Sequence, residues 1–351
     1  MAGPLTSTEP VADLDPVQLH AVAEAMAEAD EPLDGPLAAH LIAGGRSNLT
    51  YLLGDRTSRW VLRTPPRHGR TPSAHDVARE HRVTRALACS DVPVPWPVVL
   101  VEDESVLGGP FAVSRYVEGR TVQTRAALDG LGPEVALDVS DRLLDCLVAL
   151  HRTDHVAVGL ERLGRPDGYA ERQLRRWSGQ WDLVADESVL ESGRRVAELL
   201  AERLPRQQSA SVVHGDFRVD NAILRLESGV HVAAIVDWEL ATIGDPVADL
   251  AMSCAYRHEA FDLIVGEPGA WTSSQLPAPE EMAQGYLARG GPDLVDWDRH
   301  LALAYFKIAV IAAGIDHRRR AGSGSGAGFD TAGASVPEYL QLAANRVASG
   351  A

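Results

Sequence analysis

His214-Gly215-Asp216-Phe217-Arg218-Val219-Asp220-Asn221, followed after a turn and an apolar run by Ile235-Val236-Asp237-Trp238-Glu239, is the stretch on which the reading of the fold turns. The runs Ser211-Val212-Val213 and Val230 to Val236 read as short strands that each end in polar chemistry. Asp216, Asn221 and Asp237 therefore stand at strand ends, where a rigid sheet aims side chains. Taken singly, His-Gly-Asp also reads as a turn cap and Asp237 as a helix cap. Both segments in this order suit phosphoryl transfer, which needs one carboxylate to orient and deprotonate an attacking hydroxyl and oxygen ligands to hold magnesium. Magnesium takes oxygen donors and keeps several waters, so one carboxylate and one amide suffice.

Working outward from this stretch, the amino-terminal half has a different texture. Pro16 to Asp30 has Leu19, Val22, Ala23 and Met26 at helical spacing. Leu41 to Gly45, Leu49 to Leu53, a Gly54-Asp55 turn and Arg59 to Arg63 fit two strands joined by a short turn and preceded by a glycine bend. Pro65-Pro66 ends the second strand, and Ala78 to Leu87 resumes as an amphipathic helix. Val98 to Val101 and Phe111 to Tyr116 complete a small antiparallel sheet. Beyond Gly119 the pattern is mainly helical, with Val135 to His151 the clearest long helix and Val196 to Leu204 another. Gly322 to Gly333 holds enough Gly and Ser to read as a mobile loop, and no repeat of fixed period is present. The chain therefore divides into a tail and helix over 1–35, a sheet-bearing lobe over 36–116 and a helical lobe over 117–351, an α+β organisation.

Composition narrows the function classes. The 351 residues carry 33 basic and 49 acidic side chains, a net charge of -16, which argues against nucleic acid or an anionic membrane as partner. Hydrophobic residues at 45% and charged residues at 23% exclude disorder throughout. Of the 33 basic side chains Lys307 is the one lysine, so any role that needs a cation falls almost always to arginine. Cys89, Cys146 and Cys254 are far apart and form no Cys-x-x-Cys pair, which suggests buried thiols in a reducing cytosol. Met1 to Asp15 has neither a basic n-region nor an apolar h-region, and Ile308 to Ile315 is too short to span a bilayer, so a soluble cytoplasmic protein is expected.

His-Gly-Asp with Asn five positions after the Asp, then an apolar strand ending in Asp, resembles the aminoglycoside phosphotransferase and choline kinase superfamily, which shares the two-lobed protein-kinase fold. Protein kinases have His-Arg-Asp in this loop; Gly215 in place of Arg is the small-molecule-kinase form. The resemblance implies Asp216 as catalytic base, Asn221 and Asp237 as magnesium ligands, and Asp249 in Asp245-Pro246-Val247-Ala248-Asp249-Leu250 as the brace of the catalytic loop. Arg218 either contacts the transferring phosphate or is a salt-bridged loop residue. In the amino-terminal lobe Gly44-Gly45-Arg46-Ser47-Asn48 would cradle phosphates through backbone amides and the Ser47 and Asn48 side chains, although Gly-Gly before a strand is also an ordinary turn. Trp60-Val61-Leu62-Arg63 falls where kinases carry Val-Ala-Ile-Lys, and period-two alternation puts Val61 and Arg63 on one face. Val61 would cover the adenine, Arg63 would reach the phosphates in place of lysine, and Glu80 would orient Arg63 unless it is simply an exposed helical glutamate. Phe111 to Val117 resembles the segment between the lobes whose backbone meets the adenine edge, with Tyr116 and Val117 as candidates.

Gly-Gly-x-Ser-Asn-x-Thr-Tyr at 44–51, Trp60 to Arg63 before Pro65-Pro66, Arg172-Gln173-Leu174 with Trp177, and Asp237-Trp238-Glu239 with Gly244-Asp245-Pro246 together resemble one branch of that superfamily. In some animal proteins this kinase-like domain is fused to acyl-CoA dehydrogenase domains. The resemblance covers about residues 35–345 and implies an ATP- and magnesium-dependent kinase that phosphorylates the hydroxyl of a small molecule, a hydroxylated acyl chain or its CoA thioester. That branch often has lysine after the strand arginine, where this chain has Thr64. Two alternatives stand beside it: an aminoglycoside kinase, suited to the acidic charge, and a nucleotide-binding pseudokinase, suggested by Arg63. Tyr256 to Trp271 lacks the Ala-Pro-Glu signature of a protein-kinase activation segment. Arg172, Arg175 and Arg176 either grip an anionic substrate or form a solvated helix face over buried tryptophans, and Arg318-Arg319-Arg320 has the same two readings.

Overall fold

The computed structural model describes residues 14–43, 48–66, 76–324 and 326–349. The chain forms two compact units, one comprising residues up to 88 with 95–117, the other 89–94 with 118 onward. The first unit opens with α1 (Pro16–Glu28), started by a capping box in which the Asp15 carboxylate accepts from the Val17 and Gln18 amides. Its sheet contains β1 (Ala38–Ala43), β2 (Leu49–Gly54), β3 (Arg59–Thr64), β4 (Pro97–Val101) and β5 (Phe111–Arg115), in the antiparallel order β1-β2-β3-β5-β4. Alternation sends Leu49, Tyr51 and Leu53 of β2 and Trp60, Leu62 and Thr64 of β3 into the core. The helix α1 is part of this core rather than a segment ahead of it. Val22 and Met26 are fully buried, and Glu31 beyond its end accepts from Trp60 Nε1 at 2.8 Å and from Arg115 Nε and Nη2 at 2.9 Å each. The sheet unit is completed by α2 (Val77–Leu87), packed on β4 and β5, and by the short α3 (Glu104–Leu107).

The second unit is mainly helical: α4 (Arg125–Asp129), α5 (Pro133–Arg152), α6 (Tyr169–Val184), α7 (Glu187–Glu202), α8 (Pro246–Ala255), α9 (Asp262–Val265), α10 (Pro279–Ala288), α11 (Trp297–Arg320) and α12 (Val336–Ser349). Two small ladders interrupt it, β6 (Ser211–Val213) paired with β9 (Thr242–Gly244), and β7 (Ala222–Arg225) paired with β8 (His231–Ile235). Residues 214–221 run from the first ladder to the second and residues 236–241 run back, which sets the two motif segments side by side. At 24 residues α11 is long and apolar enough to cross a membrane by length and composition, yet it is the core helix of this unit, packed by α6, α8 and α12.

Of the segment 322–333, expected as a mobile loop, residues 322–324 and 326–327 are exposed, whereas the part from Gly328 to Ala332 is anchored by packing. Phe329 and Ala332 are buried, and the Thr331 hydroxyl donates to the Leu263 carbonyl at 2.6 Å. Gly328 approaches Ile264 so closely that a Cβ would lie 1.9 Å from its carbonyl oxygen. Its glycine serves close backbone approach, not freedom of movement.

Candidate active site

His214 anchors the catalytic-loop candidate. Its backbone amide and that of Gly215 donate to the two oxygens of Asp249 at 2.7 and 2.8 Å. His151 Nε2 also donates to Asp249 at 3.2 Å, because a carboxylate can only accept, and the other ring nitrogen of His151 pairs with the Tyr286 hydroxyl at 2.6 Å. Burial pushes the Asp249 carboxyl up, but His151, His214 and these hydrogen bonds outweigh it and hold the group below its usual range. Asp249 thus braces the loop from α8. The His214 ring links both motif segments, accepting from the Asp216 amide at Nδ1 (3.2 Å) and donating from Nε2 to the Val236 carbonyl (3.0 Å). Those two partners together define its tautomer. Gly215 sits at φ +84, and a Cβ there would meet Leu240 at 3.1 Å, which explains why no arginine occupies this position.

The Asp216 carboxylate receives Arg218 Nε and Nη2, each at 3.1 Å, and Asn221 Nδ2 at 3.1 Å. Burial raises its pKa, while Arg218, His214 and the Tyr256 hydroxyl lower it by more, leaving an ionised carboxylate. Arg218 also meets Asp220 at 2.8 Å and lies 5.0 Å from the ring centroids of both Tyr256 and Phe261. Of its two readings, the salt-bridged loop residue is the arrangement seen. Asn221 spends its Nδ2 protons on the Asp216 carbonyl (2.8 Å) and carboxylate, so Oδ1 remains an open acceptor among the described residues. Asp237 follows β8 at φ +67, a left-handed backbone uncommon outside glycine and frequent at functional sites. The amide of Val236 donates to the carbonyl of Asn221 at 2.9 Å, so the two candidate metal ligands share one end of the β7–β8 ladder. Burial, with the charges of Asp216 and Asp237, outweighs Arg218 and pushes the neighbouring Asp220 carboxyl up. An open amide oxygen, a carboxylate and excess negative charge fit a hard divalent cation.

In the first unit, Val61 and Arg63 share the face of β3 opposite Trp60 and Leu62. Arg63 Nη1 meets Glu80 Oε1 of α2 at 2.5 Å, so Glu80 is not a merely exposed helical residue. Thr64, where the branch often has lysine, turns to the core side and donates to the Pro110 carbonyl at 3.0 Å. Ser47 and the glycines before it lie outside the described residues. Asn48 is 4% exposed, and neither its Oδ1 nor its Nδ2 has a partner among the described residues. The amide of Tyr116 is taken by the Arg59 carbonyl at 3.0 Å, and its ring is covered by the Arg59 guanidinium. The amide of Val117 has no partner among the described residues, which leaves it as the adenine-edge candidate of the pair.

Sequence reasoning missed Tyr256, which reaches Asp216 from the end of α8, and His151, which reaches the loop through Asp249, and it gave Asp220 no role within the motif. The helical arginines divide: Arg172 donates to the carbonyls of Asp167 and Arg165, Arg175 pairs with Glu171 at 2.9 Å, and Arg176 stacks on Trp177. Trp177 and Trp181 are buried, and Arg319 and Arg320 pair with Asp316.

The model of the phosphotransferase enzyme family matches residues 38–303. The chain belongs to that family. Its similarity to acyl-CoA dehydrogenase family member 10 of Mus musculus is 34% identity over 313 residues, 88% of this chain but 29% of the relative. The chain therefore spans about three-tenths of that relative's length. A protein of Ralstonia eutropha described provisionally as an aminoglycoside phosphotransferase superposes with a TM-score of 0.81 at 29% identity, covering 94% of this chain and 98% of that one. The aminoglycoside phosphotransferase APH(4)-Ia, solved with AMP-PNP and hygromycin B, superposes at 0.59 and 19% identity over 90% of this chain and 94% of its own, a likeness of fold. The protein-kinase-like α+β fold and the family are those of a small-molecule kinase.

Proposed function

We propose that this kinase transfers the γ-phosphate of ATP, with magnesium, to the hydroxyl of a hydroxylated acyl chain, free or as its CoA thioester. The observation that carries the phosphotransfer reading is the ionised Asp216 carboxylate held by Arg218 and Asn221 on a loop braced by Asp249. Asp216 accepts the acceptor hydroxyl's hydrogen bond and takes its proton as the oxygen attacks phosphorus. A carboxylate with a lowered pKa orients more than it pulls, which suits the loose transition state of phosphoryl transfer. Asn221 Oδ1 and Asp237 would hold magnesium, which supplies charge neutralisation at the phosphate oxygens. Arg63, steered by Glu80, holds nucleotide phosphates with Asn48 as a further donor, while the Val117 amide meets the adenine edge and Val61 lies against the base. The acyl acceptor is supported by the likeness to an acyl-CoA dehydrogenase family protein over most of this chain.

A coupled ADP-release assay with MgATP, run against hydroxyacyl-CoAs, free hydroxy acids, aminoglycosides and choline-like amines, tests this reading. Asp216→Asn is expected to lower turnover by ~10²–10⁴-fold with little change in MgATP affinity. Retention of turnover within about threefold would remove Asp216 from the role of base. Turnover confined to aminoglycosides would replace the acyl acceptor.

A further inference from the structure

Lys307 lies in α11, a helix otherwise almost wholly buried along its middle. The residue is part-buried, its ammonium stands 5.6 Å over the Trp177 ring, and it makes no ion pair or hydrogen bond among the described residues. A withdrawn ammonium with no carboxylate in ion-pair contact loses hydration and receives in return only the ring and the more distant charges of Asp216 and Asp249. An apolar side chain would fill the same space at less cost. Burial pulls its pKa down, the charges of Asp216 and Asp249 hold it up, and Arg176 pushes it down again.

Lys307, Tyr169, Gln173, Trp177, His300 and Asp249 are among the residues lining a pocket of about 30 Å³, and the Asp249 oxygens in its wall are taken up by His151 and the His214 and Gly215 amides. That is room for roughly two or three water-sized groups, enough for the oxygens of a carboxyl and too little for a sugar ring. His300 is a second such group on the same wall. It is 1% exposed, neither ring nitrogen has a hydrogen-bond partner among the described residues, and a carboxylate oxygen of Asp245 is 3.7 Å away. Burial brings its pKa down to about 4, so at neutral pH it is an uncharged imidazole with an unused N–H. Arg176 adds positive charge at the same indole, 5.2 Å from its centroid. Gly215 puts the pocket one residue from Asp216, so a group bound there is tethered close to the candidate base.

We propose that this pocket binds the acyl oxygens of the acceptor, with Lys307 donating to a carboxylate or thioester oxygen and thereby selecting which hydroxyl reaches Asp216. The proposal rests on the reading of the chain as a hydroxyacyl kinase. It also excludes polycationic aminoglycosides, which Lys307 repels and the pocket is too small to admit. Carboxylate and thioester share the acyl oxygen that the ammonium recognises, and the test separates them.

Because Lys307 is the one lysine, reductive methylation with isotope-labelled formaldehyde marks only it and the α-amino group, giving two resolvable NMR signals. Short straight-chain hydroxy acids, their CoA thioesters and hygromycin B are titrated against the labelled protein in MgATP. The Lys307 signal is expected to move with acyl compounds and not with hygromycin B, and whether acid or thioester moves it identifies the source. In parallel, Lys307→Met is expected to raise the acceptor KM roughly ten- to hundredfold with the MgATP KM within about twofold of the parent, and Lys307→Arg to recover part of the loss. Acyl turnover with an unmoved Lys307 signal, or with an unchanged acceptor KM in Lys307→Met, overturns the proposal and leaves the kinase reading standing. A Lys307 signal that moves with acyl compounds that are never phosphorylated upholds the pocket and overturns the kinase reading instead.

Discussion

Gly215 shows how a single residue can be set by backbone geometry rather than chemistry. Its φ of +84 strains any other residue, and a Cβ would press on Leu240 at 3.1 Å. Gly215→Ala is therefore expected to cost about 1–3 kcal/mol, read as a lower denaturation midpoint in urea. A midpoint equal to the parent's would show that the loop adapts. At the same scale, Asp216 has its charge set by neighbours that sequence spacing does not reveal. Arg218 and Asn221 are in the motif, but Tyr256 arrives from the end of α8. The motif made Asp216, Asn221 and Asp237 legible because their spacing lies within one short stretch of chain. The contacts of Tyr256, His151 and Lys307 stayed hidden because single residues on or at the ends of helices carry no pattern.

Among the elements, α8 carries an electrostatic cost at its start. Asp245 caps the helix by accepting from the Val247 amide at 2.9 Å, while its other oxygen is buried with no hydrogen bond among the described residues. Burial pushes this carboxyl up to about 6, despite the opposing backbone hydrogen bonds of Val247 and Ala248. The folded state therefore keeps a proton that the unfolded chain has released between about pH 4 and 6, so stability from this group is present below that window and lost as pH rises through it. With its pKa brought down to about 4, His300 loses its charge as pH rises through that window and offers none to compensate at its upper end. Asp245→Asn keeps the cap and removes the buried charge. Its Tm is expected to exceed the parent's by roughly 2–4 °C at pH 8 and to match it near pH 4. A gap independent of pH would mean that the carboxylate is not the cause. The elements themselves were largely legible: α5 and α2 from helical periodicity, β2 and β3 from alternation. The packed segment around Gly328 was not, because glycine composition reads alike for a free loop and for backbones in close contact.

Across the whole molecule, acid stability is set by carboxylates held low in the folded state. Glu31, through Arg115, and Asp296, through Arg206, have lowered pKa values, and in Asp249 burial is outweighed by His151 and His214. For a depressed acid the stabilisation is complete above the unfolded pKa of about 4 and fades as pH falls through the folded value. Unfolding followed by circular dichroism is therefore expected to become steeply pH-dependent below about pH 4, and to begin at higher pH in Glu31→Gln. An unchanged acid transition in that variant would remove Glu31 from the account. By itself the sequence determined the family, the α+β kinase-like architecture and the motif residues, since hydrophobic periodicity and short-range spacing are local properties of the chain. Tertiary structure alone decided which charges meet: Glu31 with Arg115, Asp249 with the amides of the catalytic loop, and Lys307 within the field of Asp216 with no ion pair among the described residues. Those pairings join residues far apart in sequence, and only the packing that buries them fixes their distances and lowers the dielectric in which their charges act.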